Sequence, residues 1–290
     1  MASPMIPPPH APDFLAASGW AGAEILPLAG DASFRRYFRV VHGDRSAVLM
    51  DAPPPHEDPQ PFIAVAEWLI GRGLSAPEII ARDLEKGLLL LGDFGSIRLR
   101  ETLDTDPQRE RELYELATDV LVELHQHPPM DGLKPHGLDQ WLEELKLFTD
   151  WYCPAVGADV DVETYQDAWR QVLEPVANDG LGPVTVLRDY HAENIMLVEG
   201  RHGVAHFGLL DFQDALAGHP RRSGVVALRV RPSGCRHRLP DVPMVVEHVR
   251  HDDRAAPDGG CADAECSDLR GDRSSAAREH SNEGIDPRRP

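Results

Sequence analysis

Two short apolar runs that each lead to an aspartate constrain this chain more than any other feature. Val184 to Leu187 precedes Asp189, which is followed five residues later by Asn194, and Phe207 to Leu210 precedes Asp211. Short apolar runs bounded by polar residues are typical of buried strands. We therefore expect three oxygen-bearing side chains, carried on separate turns beside two strands, to converge on one cleft.

These three residue types suit the transfer of a phosphoryl group. A carboxylate at Asp189 can accept the proton of an attacking hydroxyl, while Asn194 and Asp211 offer the hard oxygen ligands that Mg2+ prefers. Catalysis would then consist mainly of positioning and charge neutralisation. The alternative is structural, since aspartates that end strands also cap neighbouring turns.

Other polar residues near this pattern have less specific interpretations. His191 and Glu193 could orient Asp189, but a role in closing the loop by hydrogen bonds is favoured. Asp214 could support Asp211 or cap a helix. His125 ends an apolar helix face, where a histidine more often belongs to the core than to a catalytic site.

The composition argues against several classes of function. A formal charge of −19 is unlike that of a general nucleic-acid binder, which shows a basic patch or stripe. Residues 1–12 have no signal-peptide pattern, and no apolar run reaches the ~18 residues of a membrane span. The four cysteines fit neither a disulfide framework nor a zinc site. We expect a cytoplasmic monomer with no nucleic-acid or membrane partner.

The chain changes character at about residue 220. All 18 aromatic residues precede this point, and the formal charge is −20 before it and +1 after it. A segment so poor in large apolar side chains cannot offset its ordering entropy by burial. We expect residues 221–290 to be an atypical, poorly ordered tail. A sharper hypothesis is that the coding frame changes just after His219-Pro220, which translation of the other two frames of the gene would test.

The first 92 residues are predicted to form a small sheet lobe with one helix. The helix spans Phe62 to Ile70, where apolar residues recur at helical spacing before Gly71. The predicted strands are Glu24 to Leu28, Tyr37 to Val41, Ala47 to Met50, Glu78 to Ala81 and Gly87 to Leu91.

Residues 93–220 are predicted to form a mainly helical C-terminal lobe. Amphipathic patterns begin at Pro107 and continue to about His127, and recur over Trp141 to Trp151 and Tyr165 to Leu173. The fold class is therefore α+β, with two lobes and a cleft between them of the kind that binds a nucleotide.

A turn between the first two strands is the predicted phosphate-binding loop. Its candidate ligand-binding residues are Gly30, Ala32, Ser33, Arg35 and Arg36, because backbone N–H groups and guanidinium groups both bind phosphate oxygens. A plain hairpin turn with solvated arginines is the alternative. The tripeptide Asp93-Phe94-Gly95 precedes the catalytic loop, so it is interpreted as part of the inter-lobe hinge rather than as a metal motif.

The motifs also resemble those of a known family. Leu187 to Asn194 is similar to the catalytic loop of the aminoglycoside phosphotransferase superfamily, and Leu210 to Asp214 is similar to its metal motif. Gly30 to Arg39, Val48 to Pro54 and Leu88 to Gly95 resemble the bacterial kinases that phosphorylate N-acetylmuramate and N-acetylglucosamine at the anomeric hydroxyl in peptidoglycan recycling. The resemblance covers about residues 14 to 220. It implies a two-lobed, protein-kinase-like fold, a sugar substrate, and ATP and Mg2+ as cofactors.

Two departures from that pattern keep another interpretation open. The strand that carries an ATP-binding lysine in most kinases ends in Met50 here, so Arg35 or Arg36 would have to supply the charge. The helices that complete the sugar pocket in the family have no recognisable counterpart after Pro220. An inactive nucleotide- or sugar-binding member is therefore the first alternative, and a metal-dependent hydrolase using Asp189, His191, Glu193 and Asp211 is the second.

Overall fold

The fold is given by a computed structural model that describes residues 5–30 and 34–222. The candidate residues Ala32 and Ser33 lie outside the described residues, as does the tail from residue 223 onward. The predictions of a poorly ordered tail and of a frame change therefore stay predictions.

An antiparallel sheet of five strands forms the N-terminal lobe, in the order β1-β2-β3-β5-β4. All five predicted strands exist, and no end is shifted by more than two residues. They are β1 (Glu24–Gly30), β2 (Arg36–His42), β3 (Arg45–Asp51), β4 (Ile79–Asp83) and β5 (Leu88–Gly92).

The four leucines of β5 pack against apolar residues on both faces of the sheet. Side chains alternate between the faces of a strand. Leu89 and Leu91 therefore join the main core, while Leu88 and Leu90 join a second core around Phe14 on the opposite face. The sheet is covered on both faces, and each leucine is at most 2% exposed.

Two helices cover the sheet. The helix α1 (Ala11–Ala17) supplies Phe14 to the smaller core, and α2 (Gln60–Ile70) packs Phe62, Val65 and Leu69 into the main one. The sequence pattern predicted α2 but gave no sign of α1, which has only seven residues.

The rest of the described chain is mainly helical. In α4, five residues at helical spacing, from Leu113 to Leu124, are buried in the main core. The helices are α3 (Leu99–Thr105), α4 (Glu110–His125), α5 (Leu138–Leu147), α6 (Cys153–Val156) and α7 (Val162–Ala177). Among the described residues, no helix is both long enough and apolar enough to cross a bilayer.

The helix predicted over Trp141 to Trp151 differs from the observed structure. Regular α-helix stops at Leu147, and Phe148–Tyr152 forms a π-helical turn before α6. Pro154 lies just after this turn, in the first turn of α6, and a proline cannot donate the backbone hydrogen bond that a continuous regular helix would need at its position.

Short strands hold the loops that carry the predicted site. The strand β10 pairs in parallel with β6 and antiparallel with β7, while β8 and β9 form a separate antiparallel pair. The strands are β6 (Pro135–His136), β7 (Val184–Val186), β8 (Ile195–Leu197), β9 (Phe207–Leu209) and β10 (Leu216–Gly218).

Candidate active site

The loop between β7 and β8 is held in a fixed conformation. The N–H of His191 bonds to the carbonyl of Asp189 at 3.1 Å, and the N–H of Asn194 bonds to the carbonyl of His191 at 2.9 Å. Tyr190 is buried, and its hydroxyl donates to the carbonyl of Ala117 in α4 at 2.7 Å. Burial raises the pKa of the Tyr190 hydroxyl, so this group stays a neutral donor. The loop is thus fastened to the helical core while Asp189 remains exposed.

The structure brings the side chains of Asn194 and Asp211 together, next to the backbone carbonyl of Asp189. The pairing of Ile195 with Leu209 aligns the residues at the adjoining ends of β8 and β9. The Nδ2 atom of Asn194 lies 3.1 Å from the backbone oxygen of Asp189 and 3.4 Å from Oδ2 of Asp211. Two turns that are far apart in sequence therefore meet at Asn194.

The surroundings of the Asn194 amide define its orientation. Its nitrogen donates to the Asp189 carbonyl and to Asp211 Oδ2, and it lies 3.3 Å from His191 Nε2. The amide oxygen is the atom of this side chain that can act as a metal ligand. Asn194 and Asp211 together offer two oxygen ligands, a set that fits Mg2+ shared with phosphate groups.

Asp211 occupies an unusual backbone conformation. Its φ is 55°, in the left-handed region, where a residue with a side chain is uncommon. Its Oδ1 accepts a hydrogen bond from Gln213 Nε2 at 2.8 Å, and the carboxylate is half-buried. Such backbone strain is often found where a side chain has to be aimed at a functional site.

Asn194 and Asp211 line a cleft of about 540 Å3 between the sheet and the β8–β9 pair. The apolar part of its lining suits a flat aromatic ring, and the polar part lies at Asn194 and Asp211. The lining includes Leu28, Tyr37, Arg39, Val48, Leu91, Asp93, Phe94, Asn194, Met196, Leu210 and Asp211.

The predicted phosphate-binding loop is described at its two ends only. Gly30 ends β1 and pairs with Arg36, which begins β2. Arg35 is 9% exposed, and its Nη2 atom lies 4.0 Å from Asp211 Oδ1. Arg36 instead donates through Nε to Asp51 Oδ2 at 2.9 Å. The structure thus brings Arg35, but not Arg36, to the predicted metal ligands.

The remaining sequence candidates lie as follows. Met50 is fully buried in the main core, so the end of β3 presents no cation to the cleft. His191 is half-buried, whereas Glu193 and Asp214 are exposed. His125 is half-buried in α4, and burial lowers its pKa to about 4. The described residues contain no cluster of three or more His, Cys, Asp or Glu that could hold a metal ion.

Sequence reasoning missed Arg39 as a site residue. Arg39 lines the cleft, and its Nε atom lies 2.8 Å from Asp93 Oδ2 in the segment after β5. Phe94 packs on Gly208, where an added Cβ would lie 2.5 Å from the ring. The tripeptide Asp93-Phe94-Gly95 thus makes structural contacts. It is part of the segment that links the two lobes, which is called the strap below. The sequence signal for Arg39 was its place at the end of the Gly30 to Arg39 motif, which gave no role to this residue.

Comparison with known proteins gives consistent results at the level of the family. The phosphotransferase enzyme family APH matches residues 24–238. An N-acetylmuramate/N-acetylglucosamine kinase of Pseudomonas aeruginosa is 41% identical over 213 residues, which cover 71% of this chain and 61% of the relative. A protein of the same name from Caulobacter vibrioides is 32% identical over 71% of this chain and 67% of its own length. The chain therefore spans about three fifths to two thirds of these relatives.

Two solved structures share the fold at low sequence identity. A choline kinase from Streptococcus pneumoniae has a TM-score of 0.53 at 13% identity, covering 73% of this chain and 70% of the other. The GDP complex of aminoglycoside 2'-phosphotransferase-IIIa has a TM-score of 0.53 at 15% identity, covering 75% and 76%. The two-lobed, kinase-like fold expected from the sequence is confirmed.

Proposed function

Because the chain belongs to the phosphotransferase enzyme family APH, we propose that it is an ATP- and Mg2+-dependent kinase of amino sugars. The acceptor is the anomeric hydroxyl of a sugar such as N-acetylmuramate or N-acetylglucosamine, released during peptidoglycan recycling. The names of the relatives that are 41% and 32% identical support this substrate class. The observation that supports the proposal most directly is the contact of the Asn194 side chain, which lines the cleft, with the Asp211 carboxylate and with the backbone carbonyl of Asp189.

Each of the three residues has a separate task. Asp189, which is exposed, accepts the proton of the sugar hydroxyl. The hydroxyl oxygen bonds to the terminal phosphorus of ATP while the bond from that phosphorus to ADP breaks and ADP leaves. Asn194 and Asp211 hold the metal through their side-chain oxygens. When bound, Mg-ATP supplies the phosphoryl group and an ion that neutralises its charge. Because the chain does little covalent chemistry, most of its contribution is the fixed geometry of these groups.

Other residues shape the remainder of the nucleotide site. Val48 and Leu91 give an apolar surface for the base, since both line the cleft from the sheet. Gly30 and Arg35 flank the segment that is proposed to bind the phosphates. The lobes comprise residues 1–92 and 93–220, and the enzyme acts as a monomer in the cytoplasm.

A single assay separates this function from its alternatives. The full chain is incubated with Mg-ATP and either amino sugar, and both ADP and sugar phosphate are followed. Sugar-dependent ADP release with an equal amount of sugar phosphate is the expected result. Binding of ATP without turnover would identify an inactive member of the family, and ATP-independent hydrolysis would identify a hydrolase.

A further inference from the structure

Arg35 is a nearly buried cation placed between two carboxylates. Its Nη2 atom is 4.0 Å from Asp211 Oδ1, and its Nε atom is 3.8 Å from Glu57 Oε2. The residue is only 9% exposed. Removing a charge from water is costly unless opposite charges or hydrogen bonds compensate. The two carboxylates therefore stabilise the positive charge of Arg35 at a position close to the predicted metal ligand Asp211.

Glu57 fixes this position from the far side. Besides the contact with Arg35, its Oε1 accepts a hydrogen bond from the N–H of Phe34 at 3.0 Å. The Phe34 ring also stacks on His56, with ring centroids 4.9 Å apart. The segment that leads into β2 is thus fastened to the loop before α2 by a side chain and a ring contact.

The neighbouring arginine is directed elsewhere. Consecutive side chains point to opposite sides of an extended strand. Arg36 accordingly contacts the buried carboxylate of Asp51 and the carbonyl of Ile6 at 3.1 Å. Its contacts hold the start of β2 to β3 and to the N-terminal segment, which is a structural task.

We propose that Arg35 is the cation that binds the nucleotide phosphates and that Glu57 is its positioning residue. This assignment rests on the proposed kinase function. In most kinases a strand lysine paired with a glutamate of a nearby helix performs this task. Here Met50 is buried in the core, and the pair is formed by Arg35, before β2, with Glu57, before α2. A guanidinium suits the task because its planar donors match phosphate oxygens.

The test measures binding in the absence of the sugar, so that turnover does not enter. Dissociation constants for Mg-ATP and for adenosine are determined by calorimetry for the full-length parent, Arg35→Ala and Glu57→Gln. Loss of a charge-assisted contact is expected to weaken Mg-ATP binding about 10- to 100-fold in Arg35→Ala, and about 10-fold in Glu57→Gln, by analogy with residues that orient metal ligands. Adenosine binding stays unchanged because adenosine has no phosphate.

Two control variants each remove one charge from an exposed position outside the proposed phosphate site. Arg111→Ala and Glu67→Gln change side chains that are 90% and 60% exposed, and both should bind Mg-ATP as the parent does. In steady-state assays Glu57→Gln should raise KM for ATP more than it lowers kcat. A melting temperature close to that of the parent shows that each variant is folded.

The possible outcomes distinguish this inference from the proposed function. If the parent phosphorylates sugar but Arg35→Ala binds Mg-ATP as tightly as the parent, the role of Arg35 is wrong and the kinase assignment stands. If adenosine and ATP binding weaken equally, Arg35 and Glu57 only maintain the fold of the cleft. If the parent itself does not bind Mg-ATP, both proposals fail.

Discussion

The sheet lobe and the α5–α7 segment differ in how they use their apolar residues. Every leucine of β5 is buried, and the two faces of the sheet pack into two cores. In contrast, α7 contains no buried residue, although its apolar side chains share one face. An amphipathic helix in a protein gains most of its stability from packing that face against a partner.

Aromatic rings make the contrast clearest. Trp151 is 74% exposed and Tyr152 is 56% exposed, and Phe148 stacks with Tyr152 and Tyr165 at 5.2 and 5.6 Å. Contiguous exposed apolar surface is uncommon in monomers. The candidate active site lies beside the main hydrophobic core. The α5–α7 segment instead presents an apolar face that the described residues leave uncovered.

The largest expected effect compares two equivalent truncations. Leu89→Ala, at a fully buried position in β5, should lower the free energy of unfolding by about 2–5 kcal/mol. Leu147→Ala, at a position that is 61% exposed at the end of α5, should change it by no more than about 0.5 kcal/mol. Urea denaturation of both variants measures the difference. Equal losses would show that the α5–α7 face is packed as tightly as the sheet.

The next largest effect is expected on the rate of phosphoryl transfer and not on stability. Asp189→Ala should reduce sugar-dependent turnover by at least ~100-fold, the lower end for loss of a general base, with the melting temperature unchanged because the side chain is exposed. Asp159→Ala removes an exposed carboxylate from the loop before α7 and should leave turnover unaffected. Turnover of Asp189→Ala near that of the parent would remove this residue from the mechanism.

A pH effect should arise in the well-packed region. His125 has a folded-state pKa of about 4 because it is desolvated, below its usual 6.5. The unfolded chain therefore takes up this proton first as the pH falls, so stability is complete above pH 6.5 and declines between 6.5 and about 4. The contribution lost is roughly 2 kcal/mol, after allowance for partial exposure. His125→Gln should flatten this part of the stability profile, and an unchanged slope would contradict the assignment.

The smallest effect tests how firmly the catalytic loop is attached to α4. Tyr190→Phe removes the buried hydrogen bond to Ala117 and leaves that carbonyl without this donor. A loss of about 1 kcal/mol in the free energy of unfolding is expected. Tyr165→Phe, in the partly exposed ring cluster of α7, is the matched control and should change stability by less. Similar losses in both variants would show that the hydrogen bond adds nothing at this site.

The sequence indicated the sheet because its strands follow a short-range pattern, and the same kind of pattern predicted the site residues. Buried strands with a period of two are visible in β5, and aspartates after apolar runs indicated Asp189 and Asp211. The short helices α1 and α3 were missed, since α3 has Leu99 as its one buried residue and hence no apolar repeat.

Contacts distant in sequence could not be anticipated. Arg39 meets Asp93 across 54 residues, and Phe34 meets Glu57 across 23. Such pairs have no local signal, because they depend on how the strap and the loop before α2 pack against the sheet. The same reason explains why Arg35 and Arg36 were not distinguished until the pairing of β2 with β3 was known.

Metal binding at Asn194 and Asp211 tests most directly whether these residues share one ion. Mn2+ in place of Mg2+, with ATP and the full-length protein, reports binding through the relaxation rate of water protons. A ternary complex is expected in the parent, with at least ~10-fold weaker binding in Asn194→Ala and in Asp211→Ala. Equal Mn-ATP affinity in the parent and both variants would contradict the convergence of these residues on one metal ion.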